Sequence, residues 1–325
     1  MCIAFYNIEP LVSRCLDSVL SSTYSNLEVI CVNDGSTDGT SELLHKYANK
    51  DTRVIVIDKE NGGIVSARNA AMEIVTGDFV AFVDGDDWIH NQYFEVLMAV
   101  QEKSGADAVV CGFRKTSEHI EDTIIKAEEV EFSTYGLDHV PYDRDVRVLI
   151  WGRIFSRRLI PTLKIDSELI RGEDAILNIL FLCRCTDIVL AVTAEKLYYY
   201  YQRSDSLVHT VSHEYIKKIC DFFIGHPEII NSTNAKKIIL NEILKDALSY
   251  RYLVMFSSDK KEVRKLCRRY FDFCTANWGD IFSAKEKIKY YVLFTFPLIY
   301  RFYRIITDPT MIAWERMEKA ERKSS

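Results

Sequence analysis

Apolar and polar positions in the first half of the chain switch repeatedly between two periods. Cys2–Tyr6 is a short apolar run, and Leu11–Ser21 sets Leu11, Cys15, Leu16, Val19 and Leu20 at helical spacing. The β-branched run Glu28–Val32 predicts a strand and Thr37–Ala48 a helix. The exchange continues with strand Arg53–Ile57, helix Gly63–Val75, strand Asp78–Val83, helix Asn91–Glu102 and strand Asp107–Phe113. Strands alternating with helices of this length predict βαβ units and a mostly parallel sheet flanked by helices.

From Thr116 to Asp145 the pattern gives way to polar, acidic segments, read as a connection. Trp151–Arg158 and Ala194–Tyr201 predict further strands, with a helix near Glu173–Cys183 between them. Beyond about Ser212 the spacing is helical, through Ile216–Phe223, Lys236–Leu253 and Lys261–Phe273. The reading is an α/β domain over residues 1–210 and a helical C-terminal appendage over 211–325.

A length of 325 residues suits one large or two modest domains. Hydrophobic residues make up 48% and charged residues 27%, enough for a sizeable core. A net charge of −6, with no basic block in the first two hundred residues, disfavours nucleic acid, whose phosphates need a basic face. The nine cysteines are odd in number and scattered, and Cys183 and Cys185 stand too close together for a zinc hook. Buried thiols in a reducing cytosol are expected. The first residues lack the basic and apolar regions of a signal peptide and begin abruptly in a strand, so a start clipped by a few residues is expected.

In open parallel sheets, ligands bind outside the carboxyl ends of the strands. Those ends carry Tyr6-Asn7-Ile8-Glu9, Asn33-Asp34-Gly35-Ser36, Asp58 to Gly63, and Asp84-Gly85-Asp86-Asp87. Carboxylates, amides and glycines therefore converge on one rim. On an extended segment Asp84 and Asp86 project together, and carboxylates that close repel. Mg²⁺ or Mn²⁺ takes oxygen ligands, one or two carboxylates plus substrate phosphates, and resolves the conflict. The plain alternative is a solvated acidic turn before the next helix. No Walker A loop and no G-x-G-x-x-G occurs, so a metal on the acidic cluster is the expected means of neutralising a diphosphate. Asp34 is placed to accept the N–H of a nucleobase, while Ser36 or Asp38 caps the following helix. Arg68, on a helix entered through Gly62-Gly63, suits phosphate, with a surface salt bridge as the ordinary alternative.

Phe5-Tyr6-Asn7, Val32 to Asp38, Asn61-Gly62-Gly63 with Ala67-Arg68-Asn69, Asp84 to Trp88, and Gly172-Glu173-Asp174 together resemble the ordered motifs of family 2 glycosyltransferases. The resemblance runs from residue 2 to about residue 208 and implies an inverting enzyme of the GT-A fold. It implies a nucleoside pocket lined by Phe5, Tyr6, Asn7 and Glu9, with Asp34 on the base, usually uracil. Arg68 then lies near the phosphates, with Asn61 and Gly62 beside the nucleotide. Asp84 and Asp86 become the DxD pair, Asp86 the direct metal ligand, and Asp87 and Trp88 shape the donor sugar site. Asp174 takes the place of the catalytic base, with Glu173 as runner-up. A carboxylate there removes the acceptor hydroxyl's proton while a metal stabilises charge on the leaving diphosphate. The sequence departs from the family pattern at Ala4, at Asn33 and at Tyr201, where the family has Pro, Asp and Arg.

The expected function is transfer of a sugar from a nucleotide-diphosphate sugar, a UDP-sugar by resemblance, to a glycan, lipid-linked or glycoprotein acceptor in the cytoplasm. Alternatives are another Mg²⁺-dependent nucleotidyl or phosphoryl enzyme, or a nucleotide-sugar-binding scaffold that has lost turnover. Near the end, the apolar run Tyr290–Tyr300 is flanked by Lys285, Lys287, Lys289, Arg301 and Arg304. It is far short of the ~20 residues that span a bilayer. Residues 285–306 suit a helix on an anionic membrane surface at the inner face of the cell membrane, or one docked on its own domain or a second subunit. If the membrane reading holds, deleting residues 285–325 abolishes sedimentation with anionic liposomes; unchanged sedimentation excludes it.

Overall fold

The computed structural model describes residues 1–118, 120, 122–136, 150–160 and 188–201, with parts of 265–295. The chain divides into two units, Met1–Val211 and Ser212–Ser325. In the second unit the described residues are helical within 265–276 and form a helix over Ala284–Thr295. The helices expected over 173–183, 216–223 and 236–253 lie outside the described residues. Among the described residues no helix is long and apolar enough to cross a membrane.

The first unit opens with β1 (Cys2–Phe5), α1 (Glu9–Leu20), β2 (Val29–Asp34), α2 (Thr40–Ala48), β3 (Val54–Lys59), α3 (Gly63–Ile74) and β4 (Phe79–Asp84). It continues with β5 (Trp88–Ile89), α4 (Tyr93–Ser104), β6 (Ala108–Thr116), β7 (Phe132–Gly136), β8 (Arg153–Ser156) and β9 (Val189–Tyr201). β2 is buried along its whole length, as a strand covered on both faces must be. α1 buries Val12, Cys15, Leu16 and Val19, the stripe its spacing predicts. β5 and β7 carry no apolar pattern of their own; β7 falls in the stretch read as a connection.

The strand order is β3-β2-β1-β4-β8-β6-β9-β5, with β7 paired to β9. Pairing is parallel from β3 through β4. β8 then runs antiparallel to both β4 and β6, while β6 and β9 are parallel. The sheet is thus parallel in its first half and mixed in its second. Apolar periodicity locates strands but does not set their direction. Because β8 reverses twice, β6 and β9 still run with β1 to β4, and their carboxyl ends share one rim. β9 bulges against β6 between Val110 and Phe113, which re-aims its last residues.

Cys2, Cys15, Cys31 and Cys111 are buried thiols. Burial pushes Cys2 up to about 11 and Cys31 and Cys111 to about 12, so they behave as apolar core residues. Leu16 is fully buried in the main core cluster. Leu16→Ala is expected to cost about 2–5 kcal/mol of stability, measured by urea unfolding.

Candidate active site

β4 delivers Asp84 to the rim, and the chain turns at once: the Asp87 N–H donates to the Asp84 carbonyl at 2.9 Å. Gly85 is required here, because a Cβ would lie 2.7 Å from both the Ala4 carbonyl and the Phe5 ring. Asp84 and Asp86 therefore do not project together from an extended strand as the sequence spacing implies; a tight turn sets their directions. Both remain partly exposed, whereas Asp87 turns inward and is 1% exposed.

The buried Asp87 carboxylate accepts the Tyr198 hydroxyl at 2.7 Å and the Tyr201 N–H at 2.8 Å. The Tyr198 oxygen in turn accepts the Asp84 N–H at 3.1 Å. Burial drives the Asp87 carboxyl well above the usual carboxylate range, and the neighbouring Asp84 and Asp86 charges push it further. Burial likewise raises the Tyr198 phenol, with Asp87 and Asp84 adding to it. β5 follows directly and pairs with β9, Trp88 opposite Tyr199 and Ile89 opposite Tyr198. The acidic turn is thus fastened to the last strand at several points.

Arg68, buried on α3, reaches across to Asp84 at 2.9 Å. It is not the surface salt bridge allowed by its sequence alone. Asp34, at the end of β2 and 3% exposed, accepts the N–H of Gly62 at 3.0 Å and of Gly63 at 2.7 Å. Lys59 completes its shell at 2.6 Å. A carboxylate on the opening N–H groups of α3 suits the positive end of that helix. Gly35 has φ +72°, and a Cβ there would come within 2.6 Å of the Asn61 nitrogen, so this loop and the start of α3 close on each other.

Tyr6 is half exposed and Asn7 adopts a left-handed φ of 49°. The Asn7 side-chain oxygen accepts the Thr37 N–H at 2.8 Å. Glu9 accepts the Gly39 N–H at 3.0 Å, at the entry to α2. Asp38 accepts the Thr40 N–H at 3.0 Å, but the N-cap of α2 is Gly39 and neither Ser36 nor Asp38 caps the helix as expected.

Tyr6, Asn7, Asp34, Asn61, Gly62, Asp84 and Asp86 therefore occupy adjoining strand ends and loops of one rim, and Arg68 reaches it from α3. Phe5, Asp87 and Trp88 are buried behind it, at 1–2% exposure. Glu173 and Asp174 lie outside the described residues. Among the described residues no group of three His, Cys, Asp or Glu side chains is assembled that could hold a metal.

Sequence reasoning missed Trp151, Arg14 and the tie of Tyr198 to Asp87. The tyrosine run alternates as a strand must: Tyr198 and Tyr200 stack on Trp151 at 4.4 and 5.6 Å between ring centroids. Tyr199 and Tyr201 pack against Trp88 at 5.6 and 6.2 Å. The period-two signal was visible in Tyr198–Tyr201, but its partners are remote in sequence. Arg14 carries no motif, yet it donates to the Asp86 carbonyl at 2.7 Å.

Comparison with known proteins agrees with this architecture. Residues 1–157 match the Glycosyl transferase family 2 model. The uncharacterized glycosyltransferase EpsJ of Bacillus subtilis (strain 168) is 32% identical over 184 residues, covering 54% of this chain and 54% of EpsJ. The chain thus spans about half the length of that relative. Glycosyltransferase GlyG of Streptococcus pneumoniae serotype 4 is 26% identical over 296 residues, 82% of this chain and 93% of GlyG. The crystal structure of S. aureus TarS 1-349 in complex with UDP-GlcNAc superposes with a TM-score of 0.68 at 21% identity, covering 86% of this chain and 81% of that one. The α/β fold is therefore of the GT-A type expected.

Tyr198→Phe leaves the Asp84 N–H and one Asp87 oxygen without a partner in a buried setting. It is expected to cost about 1–3 kcal/mol in urea unfolding, more than Tyr199→Phe, whose hydroxyl meets Asp122 near solvent.

Proposed function

We propose that this chain, which belongs to glycosyl transferase family 2, transfers a sugar from a nucleotide-diphosphate donor to a glycan, lipid-linked or glycoprotein acceptor with inversion at the anomeric carbon. The observation that carries the reading is the pairing of Arg68 from α3 with Asp84 at the end of β4, beside the Asp86 carboxylate. It sets a buried cation and two partly exposed acids on one rim, the equipment for a diphosphate and its counter-ion. The crystal structure of TarS with UDP-GlcNAc favours a uracil nucleotide as donor.

The acidic turn fits a divalent cation by its chemistry. Three acids stand within four residues, and the one that turns inward is driven towards its neutral form by burial and by the other two. Asp84 and Asp86 supply hard oxygen donors, the type that Mn²⁺ and Mg²⁺ prefer. Bound there, the cation supplies positive charge to a leaving diphosphate. Asp86 holds it directly and Asp84 assists. Arg68 orients the phosphates, and Tyr6, Asn7, Asp34 and the Asn61-Gly62 backbone border the nucleoside. Asp174 takes the acceptor proton, with Glu173 as alternate, so that a single displacement needs only one base. Residues 1–210 act as the donor-binding and catalytic unit. Residues 211–325 serve contact with the acceptor's membrane surface or a second subunit, on the cytoplasmic side.

A thermal-shift screen of nucleotide sugars with Mn²⁺ tests the reading, because a ligand stabilises according to its affinity. UDP-sugars are expected to raise the melting temperature, and silence with every nucleotide sugar overturns it. Asp86→Ala is expected to abolish transfer and weaken metal-dependent donor binding. Asp174→Asn is expected to abolish transfer while leaving donor binding nearly intact; retained turnover refutes its role as base.

A further inference from the structure

Arg14 projects from α1 and has no part in the reading above. Its Nη2 donates to the main-chain carbonyl of Asp86 at 2.7 Å. Its guanidinium carbon lies 4.3 Å from the Trp88 ring centroid and 3.9 Å from that of Tyr201. One planar cation therefore sits against two aromatic faces, 6.2 Å apart, while its edge holds the centre of the acidic turn. Both rings flank that turn: Trp88 follows it directly, and the backbone N–H of Tyr201 donates to Asp87. Guanidinium combines in-plane donation with stacking, which an ammonium cannot reproduce. Its Nε–H is buried and has no hydrogen-bond partner among the described residues. A buried N–H is left unmet only where other contacts of the group compensate, and here those contacts are the carbonyl and the two rings.

We propose that Arg14 is a positioning residue of the donor site, which fixes the Asp84–Asp87 turn so that its partly exposed carboxylates keep one geometry towards a divalent cation and diphosphate. The assignment rests on the proposed function. Arg68 engages the turn at the Asp84 side chain, and Arg14 engages it at the Asp86 backbone, so the turn is held by a cation at each end. Gly85 lies between these anchors, and glycine gives the turn more freedom than any other residue once an anchor is lost. Tyr201, where the family pattern has Arg, then contributes as the ring on which Arg14 rests.

The test is calorimetric titration of UDP into the full chain, once with Mn²⁺ and once with EDTA. The ratio of the two affinities isolates what the metal adds. In Arg14→Met that ratio is expected to fall by about tenfold or more, the scale on which outer ligands of metal sites act, with the EDTA affinity nearly unchanged. An unchanged ratio overturns the proposal. So does an equal loss in both titrations, which marks a purely structural role. Should Arg14→Met fail to fold, Arg14→Lys, which retains the charge but not the planar fork, is read by the same criterion. Wild-type protein that binds no UDP in either condition fails the proposed function itself, and is thereby told apart from a failure of Arg14.

Discussion

The site depends on one buried carboxylate. Asp87 is fixed by the Tyr198 hydroxyl and the Tyr201 N–H, and through Tyr198 it is tied back to the Asp84 N–H. Strand β4 delivers the acidic turn and β9 closes over it, yet the two are not neighbours in the sheet: β8 and β6 stand between them. The clasp and the short β5–β9 pairing bring these distant strand ends together. A buried carboxylate without such donors costs several kcal/mol, so the clasp and the burial require each other.

Electrostatics on the rim follow from that arrangement. With Asp87 turned inward, Asp84 and Asp86 are left as the partly exposed acids, and Arg68 and Lys59 hold Asp84 and Asp34 at 2.9 and 2.6 Å. Removing one partner of such a pair is more damaging than the pair is stabilising, because a charge is stranded in low dielectric. These pairs therefore specify geometry more than they add stability. Asp34 ties the end of β2 to the first N–H groups of α3, and α3 carries Arg68 to Asp84. Two strand ends are linked through one helix.

Much of this was legible in the sequence because local rules govern it. Apolar period located β1 to β4 and α1 to α4 within two or three residues, the rule that ligands bind at carboxyl ends drew attention to Asp34, Asp84 and Asp86, and the helix entered through Gly62-Gly63 drew attention to Arg68. Three kinds of fact were not legible. Strand direction beyond β4 depends on where β8 inserts, which periodicity does not encode. The exposure of Asp84 and Asp86 depends on a turn at Gly85, forced by close approach to Ala4 and Phe5, rather than on strand alternation. The roles of Tyr198, Trp151 and Arg14 rest on contacts between residues far apart in the chain, so no motif marks them. Asp87 and Trp88 were recognised as part of a motif, but their burial showed only in the fold.

The central claim is that the acidic turn is built to share a divalent cation with a nucleotide diphosphate. Electron paramagnetic resonance of Mn²⁺ reads this directly, because the ion's free signal disappears as it is bound. The account predicts that protein and UDP together remove far more free Mn²⁺ signal than the sum of what each removes alone, and that Asp86→Ala eliminates the excess. A signal that follows the UDP concentration alone, whether or not the protein is present, contradicts it.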